Sequence, residues 1–111
     1  MNVYDTVNKL AQEIKDSEEF KNYKKYKELV KANSEVSEKI KKFETLRYEV
    51  QISAMQGVET NKDKEKELQE IYAELLAKGN VKEYFDAEFK FNILLADVNK
   101  IIGDAVKEVL E

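Results

Sequence analysis

Apolar residues recur at helical spacing along the whole chain, and no stretch alternates apolar and polar residues long enough to predict a strand. One stripe occupies a first predicted helix: Val3, Val7, Leu10, Ala11 and Ile14. A second stripe consists of Phe20, Tyr23, Tyr26 and Val30. Ser17 lies between the two stripes and can cap a helix that begins with Glu18 and Glu19. The pattern leaves open whether these segments are separate helices or one kinked helix.

Two further helices follow in the middle of the chain. Asn33, which tolerates the left-handed conformation, and Ser34, which can cap a helix, separate the second helix from the third. The third stripe ends at Gly57, with Val58 as an apolar contact residue beyond it, and comprises Val36, Ile40, Phe43, Leu46, Val50 and Ala54. A fourth helix begins at Thr60 or Asn61, ends at Gly79, and directs inward Leu68, Ile71, Tyr72, Leu75 and Leu76. Asn80 and Glu83 then have the spacing of a capping box.

The last predicted helix, from about Val81 to Leu110, is long and apolar over most of its circumference. Its thirty residues span roughly 45 Å at 1.5 Å per residue. A compact globule of this chain length is only about 34 Å across. The main stripe contains Tyr84, Phe91, Leu95, Val98, Ile102, Val106 and Val109, with Phe85, Phe89 and Ile93 on one flank and Leu94 and Ile101 on the other. A narrow polar arc passes through Asp86, Lys90, Asp97 and Asp104.

One layer of short helices cannot cover so broad an apolar surface, so we expect a second chain to cover the remainder. The residues predicted to form this partner interface are Phe85, Phe89, Phe91, Asn92, Leu95, Val98, Asn99 and Ile102. Asn92 and Asn99 interrupt the apolar arc together with Glu88, and an asparagine in a helical interface can fix register and partner choice. The alternative is a well-buried central helix of a monomer, with these polar residues hydrogen-bonded inside its core.

Composition narrows the functional classes. The 111 residues include no His, Cys, Pro or Trp, although 42% are hydrophobic. The usual general base, the usual nucleophile and the strong zinc, haem and iron–sulfur ligands are therefore absent. We expect no enzymatic activity, no catalytic or metal-binding residues and no cofactor. No apolar run approaches the roughly 20 residues of a membrane span, and the N-terminus lacks the pattern of a secretion signal, which predicts a cytoplasmic protein.

Charge supplies a second functional hypothesis. Lys and Arg number 19 against 23 Asp and Glu, and this net charge of −4 disfavours a dedicated nucleic-acid binder. Lysines are nevertheless concentrated locally, in a candidate basic patch of Lys21, Lys24, Lys25, Lys27 and Lys31, with Lys39, Lys41 and Lys42 beyond it. Such a patch suits an RNA-associated protein. The interpretation favoured over this one is a solvated helix face, on which the alkyl stems of the lysines cover the core. The single arginine, Arg47, equips the chain poorly for bidentate phosphate recognition.

Three segments carry a family resemblance. Residues 87–102, AEFKFNILLADVNKII, resemble the C-terminal helix of the YlbF/YmcA family of small bacterial regulators. Residues 10–26, with IKDSEEF at 14–20 followed by Tyr23, are similar to that family's N-terminal pattern, and residues 51–57, ending in MQG, also fit. The likeness covers nearly the whole chain.

The resemblance implies an all-helical fold and homo- or hetero-oligomers in the cytoplasm of Gram-positive bacteria. Founding members of the family are non-enzymatic regulators in a complex that influences competence, sporulation and biofilm development. That complex works with the membrane-anchored endoribonuclease RNase Y and affects mRNA maturation. Its members contribute cysteines to iron–sulfur clusters. This chain has no Cys, so it resembles the short, cysteine-free branch and cluster binding is not carried over.

The sequence thus predicts a single all-α domain over residues 1–111. Its four to five helices form an antiparallel bundle with a long C-terminal helix, and it oligomerises through apolar helix faces. The predicted function is a cytoplasmic regulatory adaptor that binds other proteins, either a second copy, a paralogue or a regulatory complex. The RNA-associated protein is the alternative.

Overall fold

The described part of the chain is helical except for short turns between the helices. A computed structural model describes residues 2–57, 59 and 62–110, and these contain five α-helices and no strand. The helices are α1 (Val3–Asp16), α2 (Glu18–Lys31), α3 (Ser34–Met55), α4 (Lys62–Leu76) and α5 (Val81–Leu110). The predicted all-α fold with a long C-terminal helix is confirmed.

Ser17 separates α1 from α2, which settles the question that the sequence left open. Its backbone is extended, with φ −69° and ψ 152°, so the helix is interrupted at this residue. The Ser17 hydroxyl donates to the Ile14 carbonyl at 2.6 Å and accepts from the Phe20 N–H at 3.2 Å. One side chain therefore ends the first helix and caps the second.

At the other junctions, two of the predicted residues have different roles from those expected. Asn33 is extended rather than left-handed, and its side chain caps α3 by accepting from the Val36 N–H, so Ser34 is already the first helical residue. After α4 the left-handed residue is Asn80, with φ 71°, so Asn80 does not have the extended backbone of a capping-box residue. Gly57, where the third stripe was predicted to end, follows α3 in the left-handed conformation with φ 71°. The contact predicted for Val58 and the helix start predicted at Thr60 or Asn61 lie outside the described residues.

The helices are distributed over two compact units. The terminal unit comprises α1, the part of α2 up to Tyr26 and α5 from Glu83 onward. The central unit comprises Lys27–Lys82 and therefore contains α3 and α4. That residues 1–111 behave as a single domain stays a prediction.

The central unit is built on an antiparallel α3–α4 hairpin. Its buried side chains, all but the last of which belong to the predicted stripes, are Val30, Val36, Ile40, Phe43, Leu46, Ile71, Leu75 and Val81. The rings of Phe43 and Tyr72 stack with centroids 5.5 Å apart. Three ion pairs cross the hairpin at its surface: Lys39–Glu74, Lys42–Glu67 and Lys64–Glu49. Such exposed pairs add little stability, so apolar burial holds this unit together.

Candidate protein interaction surface

Within the terminal unit, α2 lies antiparallel to the first half of α5 through an aromatic cluster. The Phe91 ring lies 5.9 Å from Phe20 and 5.5 Å from Tyr23, centroid to centroid, and Tyr23 lies 5.8 Å from Tyr84. The Tyr23 hydroxyl donates to the Glu88 carboxylate at 3.4 Å. This contact gives Glu88, one of the polar interruptions in the apolar arc, a partner within the chain.

The predicted interface residues divide into two groups by exposure. Phe89, Asn92, Asn99 and Ile102 are exposed, with Phe89 at 64% of its full accessible area. The half-buried residues are Phe85, Phe91, Leu95 and Val98. Phe91 belongs to the aromatic cluster with α2, so part of its side-chain surface already packs against residues of the same chain.

The exposed phenylalanine is part of a small apolar flank on the first half of α5. Phe89 and Ile93 are four residues apart and therefore lie on the same side of the helix, with Ile93 45% exposed. Asn92 and Ala96, both exposed, border them. We call Phe89, Asn92, Ile93 and Ala96 the α5 flank. It presents a large aromatic anchor beside an amide that can select among partners.

Exposure of the N-terminal helix is the feature that sequence analysis missed. The helix α1 is strongly amphipathic, yet none of its residues is buried, and Val3 is 72% exposed. Further exposed apolar residues of the same unit lie at the end of α5: Ile101, Ile102, Val106, Val109 and Leu110. The sequence did contain a signal for this surface, the narrow apolar stripe of α1. A strongly amphipathic helix with little polar interruption needs a partner along its full length.

A polar cleft of about 370 Å³ lies along the first halves of α2 and α5 in the terminal unit. It is lined by Glu18, Glu19, Asn22, Tyr26, Glu83, Asp86, Ala87 and Lys90. Glu18, Glu19 and Glu83 occupy first helical turns, where carboxylates stabilise the helix dipole. Asp86 pairs with Lys90 at 3.1 Å. These local roles account for the charges around the cleft.

The candidate basic patch is exposed on α2. Lys21, Lys24, Lys25, Lys27 and Lys31 all have exposed side chains. The Lys25 ammonium lies 5.1 Å from the centroid of the neighbouring Tyr26 ring, a cation–π contact within the helix. Exposure alone fits a solvated face as well as an RNA-binding face.

Other kinds of site find little support in the described residues. Among them there is no group of three or more carboxylates placed to hold a metal ion. Every helix described is too short or too polar to cross a membrane.

Fold and surface together define a small all-helical protein whose long C-terminal helix leaves apolar side chains uncovered. The family model described as "Control of competence regulator ComK, YlbF/YmcA" matches residues 3–107. The chain therefore belongs to the YlbF/YmcA family, as the three sequence segments predicted.

Several relatives align with most of the length of this chain. A UPF0342 protein of Desulfitobacterium hafniense is 34% identical over 110 residues, covering 99% of this chain and 89% of its own. A UPF0342 protein of Symbiobacterium thermophilum is 32% identical over 104 residues, covering 94% of this chain and 93% of its own. A third, from Halothermothrix orenii, is 34% identical over 103 residues, with 92% and 86% covered.

Proposed function

We propose that this protein is a non-enzymatic cytoplasmic adaptor that regulates bacterial development, through competence control or RNase Y-dependent mRNA processing. It binds other proteins through apolar helix surfaces, and its partners are a second copy, a paralogue or a larger regulatory complex. The regulatory role is supported by the family to which the chain belongs, because the description of that family refers to control of a competence regulator. The mode of action is supported by one observation above others, the exposed Phe89 on a helix whose neighbouring aromatics are packed within the chain.

The physical basis is the cost of leaving such a side chain in water. Fully burying a phenylalanine contributes roughly 1.5–3 kcal/mol, so the α5 flank gains most of that energy only when a partner covers it. Phe89 and Ile93 together can shift an association by a factor of about 100 or more. The adjacent Asn92 would leave an unpaired amide against a partner without a matching polar group, which disfavours incorrect partners.

The test is complementation in the native host after deletion of the gene. Competence-gene transcription and the 5′ ends of RNase Y-processed transcripts are measured together. We expect the deletion to alter at least one of them and the wild-type gene to restore it. The Phe89→Asp, Ile93→Asp double variant is expected to fail, because two carboxylates would enter the partner interface.

The matched control is Lys100→Ala, an exposed residue outside the α5 flank on the same helix. It is expected to complement fully at equal protein abundance. A deletion that changes neither readout would refute the regulatory role. Full complementation by the Asp double variant would remove the α5 flank from the mechanism.

A further inference from the structure

Three exposed lysines form a positive surface on the part of α2 that belongs to the terminal unit. They are Lys21, Lys24 and Lys25 of the candidate basic patch, and we call them the α2 lysine face. At about 100° per residue, Lys21 and Lys25 each lie about 200° around the helix from Tyr23. The Tyr23 ring packs against Phe91 of α5. The two lysines are therefore directed away from α5, with Lys24 beside them.

These lysines stand in a unit that is otherwise acidic. The terminal unit has eight lysines and twelve aspartates and glutamates, so its net charge without the α2 lysine face is −7. Within the described part of the chain none of the three lysines forms a salt bridge, although Glu18 precedes Lys21 by three residues. Lys90 of α5, by contrast, pairs with Asp86 at 3.1 Å. The positive charge of the α2 lysine face is thus left for a partner.

The α2 lysine face and the α5 flank lie on opposite sides of the α2–α5 pair. Phe89 and Ile93 are each two residues from Phe91, so they lie about 200° around α5 from the ring that meets α2. Lys21 and Lys25 have the same relation to the packed ring of α2. A partner on one surface leaves the other accessible, so one copy has room for two partners.

The charge distribution favours a short acidic segment over an extended polyanion. Lys21 and Lys25 are four residues apart, about 6 Å along the helix axis. An RNA strand or an anionic membrane extends far beyond that distance and would meet the acidic remainder of the unit. Lysine also lacks the bidentate geometry with which arginine binds phosphate. Carboxylates three or four residues apart on a partner helix match the spacing of the lysines and can end where the lysines end.

We propose that the α2 lysine face is a second docking surface, which binds an acidic helical segment of a partner protein through carboxylates three or four residues apart. Complementary charges at such a surface mainly raise the association rate and select the partner. This inference rests on the proposed function, because an adaptor joins two proteins only if it has two surfaces. The α5 flank supplies apolar affinity for one protein, and the α2 lysine face recognises the other.

A titration followed residue by residue tests this surface with a probe of defined charge. The probe is an alanine-based helical peptide with glutamates three and four residues apart, and its control has glutamine at those positions. In nitrogen–proton correlation spectra of the full chain at about 50 mM salt, we expect the glutamate peptide to shift the amide signals around the α2 lysine face. The glutamine peptide is expected to shift none. Salt at about 500 mM is expected to abolish the shifts, because it screens exposed charges.

Charge reversal within the terminal unit provides a matched comparison. The Lys21→Glu, Lys25→Glu variant is expected to weaken binding of the glutamate peptide about tenfold or more, since two attractive pairs become repulsive. The control Lys9→Glu, Lys100→Glu changes the net charge by the same amount at exposed residues of α1 and α5. It is expected to bind the peptide as wild type does.

Several outcomes would overturn this docking surface. The first is the absence of shifts with the glutamate peptide, and the second is equal shifts with the glutamine peptide. A third is tighter binding at these lysines by single-stranded oligouridylate or by phosphatidylserine vesicles at equal salt. Loss of self-association in the Lys21→Glu, Lys25→Glu variant would instead assign the surface to a second copy.

This inference and the proposed function fail separately in these experiments. If the glutamate peptide does not bind while the α5-flank variant loses complementation, the α2 lysine face is wrong and the adaptor function stands. If the peptide binds at the lysines while deletion of the gene changes neither readout, the docking surface stands and the regulatory role is wrong.

Discussion

Truncation of Leu75 to Ala is expected to lower the free energy of unfolding by about 3 kcal/mol, within the usual range for a buried leucine. Leu75 has 0% of its surface exposed and lies on α4 in the core of the central unit. The truncation removes apolar contacts and leaves a cavity where the hairpin cannot fully collapse. Urea unfolding followed by circular dichroism at 222 nm measures the loss.

The adjacent residue provides the control for Leu75. Leu76 is 38% exposed, so Leu76→Ala removes the same atoms from a site that water already reaches. Its expected cost is about 1 kcal/mol or less. Equal losses for the two variants would show that α4 does not direct Leu75 into the core.

Replacement of Phe91 by Asp is expected to destabilise the terminal unit by about 3 kcal/mol or more. The variant removes ring contacts with Phe20 and Tyr23, and it places a carboxylate near Glu88. The same substitution at Phe89, which is 64% exposed, is expected to change stability by no more than about 0.5 kcal/mol. Both are measured by urea unfolding at a concentration low enough to separate assembled copies.

This pair of variants also decides how interface experiments are interpreted. A loss of assembly in Phe91→Asp would mix damage to the fold with damage to a partner surface. Phe89→Asp separates them, because its side chain has little packing to lose within one copy. If Phe89→Asp destabilises the dilute chain as strongly as Phe91→Asp, the α5 flank is buried within the chain and cannot be a docking surface.

Much of the fold follows from the sequence because helical periodicity identifies which face of each helix is apolar. Of the six residues in the predicted α3 stripe, four are buried in the core: Val36, Ile40, Phe43 and Leu46. The last two, Val50 and Ala54, are half-buried and exposed respectively. The bounds of α5 were also predicted correctly, since apolar residues recur at helical spacing from Val81 to Leu110. The prediction was less accurate on α4, where Tyr72 and Leu76 are exposed, because periodicity cannot tell the centre of an apolar stripe from its edge.

Junctions were harder to predict because asparagine suits two different conformations. The same side chain can cap a helix from an extended backbone or occupy the left-handed region, and local sequence does not decide between them. Asn33 took the first role and Asn80 the second. Assignment of these roles depends on where the next helix must start.

The candidate interface shows a similar limit. The sequence indicated that α5 is more apolar than one layer of helices can cover. It predicted Phe89 and Phe91 alike as interface residues. The structure separates them because Phe91 meets α2 and Phe89 does not share that cluster. A hydrophobic pattern identifies a face that must be buried, whereas the identity of its neighbour depends on tertiary contacts between distant segments.

The most direct test of the account is the mass of the unmodified chain in solution, because its central claim is that one copy leaves α1 and α5 incompletely covered. In sedimentation equilibrium over a range of micromolar concentrations, the mean mass is expected to rise with concentration and to reach at least twice the 13.0 kDa of one chain. A single species of 13.0 kDa at every concentration would contradict the claim.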